Sequence, residues 1–187
     1  MRSILKQPSV ALPALALSLS LSLSEPAQAH LMVAQHGTLN IVEGSAFMVL
    51  SLPVSAFEGI DDNNDGEVSM IEFNSHRAAI VESVKQNVIL SDENGDRPLR
   101  GIMLSPVMPH DAVHPATVAS QVVVMGSFTL DDADSALRFQ VGLYGERIEE
   151  RSLEITATRR SDNRKQVLEL TPATSTGLFF PIIESET

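Results

Sequence analysis

Apolar and polar positions alternate over several short runs of the chain. Residues 38–42 and 46–52 are rich in strand formers and flank Glu43-Gly44-Ser45, which predicts a β-hairpin ended by Pro53. From there the period lengthens. Ile71, Phe73, Ala78, Ile80, Val81, Val84 and Val88 fall mostly three or four apart, the stripe of an amphipathic helix over about 70–88, with Ser69 or Asn74 as its cap. Strand patterns then return at 88–90 and 99–104, at 118–130 with Val122, Val124 and Phe128 on one face, at 137–143, and at 153–158 and 166–170. Turn residues separate them, notably 92–96 and 161–164. Short strands at spacings near ten residues predict a mainly β fold, an antiparallel β-sandwich carrying one inserted α-helix. The apolar stretch 177–183 is expected to dock on the body, and 181–187 to fray.

The first 29 residues read differently. Arg2 and Lys6 precede an apolar stretch of Ala, Leu and Ser, and Pro26 is followed by Ala27-Gln28-Ala29, the small-residue pattern of a cleavable signal peptide. The stretch is short and Ser-rich for a membrane span, and no later segment is long enough for one. The expectation is an exported chain, periplasmic or secreted, with a single domain over 30–180 that begins at His30. Loss of Arg2, Lys6 and Glu25 with the leader leaves 11 basic and 23 acidic side chains, a net −12. That balance argues against nucleic acid as a partner. The absence of Cys excludes disulfides, thiolate metal sites and thiol nucleophiles.

The acidic residues concentrate in one window. Residues 61–72, Asp-Asp-Asn-Asn-Asp-Gly-Glu-Val-Ser-Met-Ile-Glu, match the twelve-residue EF-hand loop at its diagnostic places. Asp61, Asn63 and Asp65 hold positions 1, 3 and 5, and Gly66 supplies the turn at position 6. Glu67 offers its backbone carbonyl, Ser69 binds directly or through water, and Glu72 closes the set with two carboxylate oxygens. Calcium takes six to eight such hard oxygens. The segment after Pro53 leaves room for one or two helical turns before the loop, and no second loop exists. Val68, the residue that bridges to a partner loop in paired EF-hands, must then pack within its own domain. These departures predict an ion that is mainly structural. Asp92, Asn94 and Asp96 imitate the start of such a loop, but Arg97 and Met103 stand where Gly and a carboxylate are needed, so 92–96 reads as a turn.

The order of leader, Ala29-His30, hairpin, acidic loop and a helix containing His76-Arg77-Ala78-Ala79-Ile80 resembles the extracytoplasmic N-terminal domain of HupE/UreJ-type membrane proteins. The multi-helix membrane part of that family is absent here, so transport does not carry over. The resemblance implies an exported accessory domain of β-sandwich type. His30, as an N-terminal residue, offers an amine and a ring nitrogen, and His36, His110 and His114 are possible further ligands, with Met32, Met103 and Met108 as thioethers. This set frames an alternative, a periplasmic carrier of copper or nickel. A copper oxidase is a weaker reading still, because the chain has one Tyr and no disulfides. No nucleophile elbow, phosphate loop or isolated carboxylate pair is present, so no enzyme activity is expected. The expected function is that of a calcium-binding accessory or interaction domain with an unknown protein partner.

Overall fold

The computed structural model describes residues 34–65, 67–108 and 118–182. The predicted hairpin forms as β1 (His36–Val42) and β2 (Ser45–Pro53). Its two-residue turn takes positive φ at both places, Glu43 at 48° and Gly44 at 77°, the mirror-image turn whose twist suits a hairpin. A 3-10 turn, Val54–Ala56, leads to the acidic loop. The loop ends in β3 (Val68–Ser69), followed by α1 (Met70–Ser75) and α2 (Arg77–Asn87). The strands β4 (Val88–Asp92), β5 (Gly95–Arg97), β6 (Arg100–Val107), β7 (Val118–Ala119) and β8 (Gln121–Thr129) come next. The chain then adds β9 (Leu137–Val141), a 3-10 turn Ile148–Glu150, β10 (Leu153–Arg159), β11 (Arg164–Leu170) and β12 (Thr176–Phe179).

The mainly β fold holds. A six-stranded sheet runs in the order β11-β10-β1-β2-β8-β6 and a four-stranded one in the order β12-β9-β4-β5, with β3 and β7 forming a separate pair. One feature departs from a purely antiparallel sandwich: β1 and β10 pair in parallel, from His36 opposite Glu154 to Ile41 opposite Arg159. A parallel pair needs a long connection rather than a hairpin. Here residues 43–152 lie between the two strands.

The two larger sheets share one core. The six-stranded sheet turns Leu39, Ile41, Met48, Leu50, Val122, Val124, Phe128 and Ile155 inward, each at most 1% exposed. The four-stranded sheet contributes Leu90, Leu137, Phe139, Val141 and Phe179. Alternation fixes these choices, because a one-residue slip would send each set to solvent. Gly37 sits where Leu50 and Ile155 close in from both neighbours. A Cβ there would approach each to 2.5 Å. Phe139, Phe179 and Phe180 form a tilted stack with centroids 6.5 and 6.1 Å apart, so the C-terminal apolar stretch docks as expected. Ile182, 74% exposed, leaves the body, and 183–187 lie outside the described residues.

The helix expected over 70–88 is two helices broken at His76, and the chain turns into β4 from Val88. Phe73, Ile80, Val84 and Val88 are buried as the stripe requires, but Ile71 is 80% exposed and Ala78 is exposed. The expected signal peptide, residues 1–29, and His30 lie outside the described residues. No helix among the described residues is long and apolar enough to cross a membrane.

Candidate functional site

The acidic loop is built largely from its own side chains bonding its own backbone. The Asn63 Oδ1 accepts from the Asp65 N–H at 2.9 Å, and Asp65 Oδ1 accepts from the Glu67 N–H at 2.9 Å. The Asn63 amide donates to Asp65 Oδ2 at 2.8 Å. These Asx turns wind the chain tightly and satisfy donors that no strand could reach. Asn64 takes φ of 57°, a left-handed conformation that Asn adopts more readily than most residues. Gly66 lies outside the described residues.

Glu72 ties the loop shut. Its Oε1 accepts from the Asp62 N–H at 3.1 Å and its Oε2 from the Ser69 N–H at 2.8 Å, while Ser69 Oγ accepts from the Glu72 N–H at 3.3 Å. Ser69 is therefore the N-cap of α1, and the two residues form a capping box. Bonds from Ser69, then from the Asp62 and Asn63 backbones, outweigh burial and hold the Glu72 carboxyl below its ordinary range. Glu72 is 7% exposed.

Two neighbours brace the loop from outside. Val68 is 4% exposed and pairs with Ala119, and Ser69 pairs with Val118, in the two-stranded sheet of β3 and β7. A strand of the same domain thus occupies the bridging side of Val68, in keeping with the absence of a second loop. His76, at the helix break, places Nε2 2.7 Å from Asp62 Oδ1. Its side chain is 26% exposed, because this contact holds it against the loop. Below the helix, Phe73 is fully buried and the Arg77 guanidinium lies 5.7 Å from its ring.

The full helix–loop–helix is not formed. The entering element is one 3-10 turn, and α1 spans only six residues. Among the described residues no three His, Asp or Glu side chains gather as a ready metal cluster. The donor set nevertheless fits a hard cation. Asp61, Asn63, Asp65, Glu67, Ser69 and Glu72 offer only oxygen, and a carboxylate oxygen that accepts one N–H keeps lone pairs for an ion. Asp61, Asn63 and Asp65 would supply the first side-chain oxygens, Glu67 its carbonyl, and Ser69 and Glu72 the closing ones.

The histidine set is not assembled here. His30, His110 and His114 lie outside the described residues, as does Met32. His36 opens β1, with Nδ1 2.9 Å from the Ala34 carbonyl and Nε2 3.4 Å from Glu154 Oε1. Met103 and Met108 are 57% and 41% exposed. The 92–96 segment is a turn, as expected: Asp92 Oδ1 accepts from the Asn94 N–H at 2.8 Å and from Arg97 Nη2 at 2.6 Å, and Arg97 reaches Asp131 as well.

Sequence reasoning missed a second acidic feature beside the loop. Glu150, 4% exposed, accepts from Ser55 Oγ at 2.8 Å and from Arg147 Nε at 2.8 Å. Burial pushes its carboxyl up, but the Arg147 and Ser55 bonds prevail and leave it below the ordinary 4.5. The charged run Glu146-Arg147-Ile148-Glu149-Glu150-Arg151 looks like solvated surface, and only the fold reveals which of its acids turns inward. No protein-family model and no curated protein matches the chain.

Proposed function

We propose that the protein is an exported, calcium-binding accessory or interaction domain in which the ion braces the loop 61–72. The observation that carries this reading is Glu72. One carboxylate spans both ends of the loop, bonding the Asp62 and Ser69 N–H groups, at the position where an EF-hand loop needs its bidentate oxygen. The ion would cross-link the loop start to α1, which the core holds through Phe73. With one loop, a single 3-10 turn before it and a bridging strand from its own domain, the ion has little to open, so a structural role is favoured over a sensor role. On this reading the resemblance to HupE/UreJ-type proteins extends to their exported domain alone, and no enzyme activity is proposed. The carrier reading with His30, His36, His110 and His114 gains no support from His36, which its strand neighbours account for.

Sites of this kind outside the cell bind at about 0.1–1 mM. With a Kd of about 0.1 mM and calcium at about 1 mM, linkage adds roughly 1.4 kcal/mol. In a domain of this size that raises Tm by about 3–6 °C. The test is thermal unfolding in calcium and in chelator, with Glu72→Gln beside the wild type. Removal of most of the difference in the variant is the expected result. Superimposed wild-type curves would end the proposal.

A further inference from the structure

The outer face of the six-stranded sheet carries an arrangement that the calcium reading does not use. Six strands place Met103, Met125, Val49, Thr38, Thr156 and Val167 in one row, by successive register from β6 to β11. Met103 and Val167, at the two ends, are 57% and 48% exposed, and Phe47, beside the row, is 51% exposed. None of these positions carries a charge. Three of the large apolar side chains that the described residues expose therefore lie on one sheet face.

Charge on either side of this row is sorted by sign. The row through Phe47 holds Arg100, in register with Ser127, and Lys165, in register with Thr158. The row on the other side holds Glu154 and Glu169 directly opposite each other. Like charges at opposed positions of an antiparallel pair repel. Only His36, 3.4 Å from Glu154, stands beside them, and Lys165 has no ion pair among the described residues.

Contacts from the rest of the fold reach both outer strands of this sheet. Arg77 donates to the Leu104 carbonyl at 2.9 Å on edge strand β6. On the opposite edge, Gln166 of β11 donates to the Leu178 carbonyl at 3.2 Å and accepts from the Phe180 N–H at 2.9 Å.

We infer that this face binds a second copy of the same chain, in a two-fold dimer whose axis lies along the Met103–Val167 row. That symmetry reverses the strand direction of the second sheet. It sets Lys165 of one copy over Glu169 of the other, beside Glu154, and does so twice. The apolar row meets its own image. Six strands at about 4.8 Å and five residues at about 3.3 Å define roughly 500 Å² of sheet per copy. The total is then about 1,000 Å², the lower limit for a specific interface. The repulsion between Glu154 and Glu169 within one copy gains its counter-charge from the partner, which accounts for both unbalanced rows at once.

Sedimentation equilibrium of the processed, exported protein tests this over micromolar to submillimolar concentrations. Twice the monomer mass at the upper end is expected. Phe47→Asp with Val167→Asp removes the dimer while the far-UV circular dichroism of the folded monomer is retained, since both side chains are half exposed. Lys165→Glu weakens association by about tenfold, as loss of a complementary charge at an interface does. Lys165→Glu combined with Glu169→Lys restores it to within about threefold, because the swap rebuilds the same pair across the axis. A monomer throughout overturns the inference, as does a dimer that none of these changes weakens. A melting profile altered by Lys165→Glu would be read against the double variant, whose failure to restore association also overturns it.

Discussion

Removing the guanidinium of Arg159 should cost the fold about as much as any single polar change in it. Arg159 is 5% exposed and points inward from β10, in register with Ile41 of β1. Its Nη1 donates to the Asp134 carbonyl at 2.7 Å, and Nη2 and Nε donate to Asp162 Oδ2 at 2.6 and 3.1 Å. Its plane lies 4.6 Å from the centre of the Phe180 ring. One side chain thus joins the β8–β9 connection, the β10–β11 turn and the C-terminal segment. Arg159→Ala leaves the Asp134 and Ser135 carbonyls without this donor, about 1–3 kcal/mol, and loses the ring contact, about 0.5–2 kcal/mol. A residual cavity adds to this, so the total is about 3–5 kcal/mol. With an m value of about 2 kcal/mol/M the urea midpoint falls by about 2 M, and m itself is unchanged. Arg159→Lys keeps the charge but not the fork, and should lose about half as much. Urea unfolding followed by far-UV circular dichroism reads both. A loss under about 1 kcal/mol for Ala, or a Lys variant equal to the wild type, would refute the argument that the fork geometry is what the site requires.

Further predictions concern the loop's surroundings. Glu150 titrates below 4.5 when folded, so its contribution is fully present above that pH and is lost as pH falls through its folded value. Acid unfolding of Glu150→Gln should therefore show a shallower loss of stability below pH 4.5 than the wild type, and equal slopes would contradict the Arg147 and Ser55 account. Ser69→Ala removes the cap of α1 while its backbone N–H still bonds Glu72, so stability in chelator should fall by about 0.5–1 kcal/mol, read by the same urea titration.

The strands were legible wherever one face is buried and alternation is uninterrupted. Residues 137–143 turn Leu137, Phe139, Val141 and Leu143 inward as their pattern requires, and within 118–130 β8 does so with Val122, Val124 and Phe128, although Ser120 separates it from β7, which joins another sheet. Ser69, one of two candidate caps with Asn74, and the turn at 92–96 were also legible, because each rests on a local bond. Three features were not. The parallel pairing of β1 with β10 joins segments far apart in sequence, and alternation carries no signal for direction. The β3–β7 pair is two residues on each side, too short to show any period. The continuous stripe read through 70–88 hid the break at His76, since Phe73, Ile80 and Val84 on either side of it keep helical spacing and are all buried. Buried charge was the other blind spot. Arg159 and Glu150 look like their solvated neighbours in sequence, and only their partners Asp162, Asp134, Arg147 and Ser55 distinguish them.

The loop as an ion site is tested most directly by calorimetric titration of the processed protein with calcium, copper and nickel in turn. The account predicts one calcium ion per chain with a Kd of about 0.1–1 mM, abolished in Glu72→Gln, and no comparable response to copper or nickel. Sub-micromolar copper binding that disappears when one residue is added before His30, with no calcium signal, would contradict it and support the carrier instead.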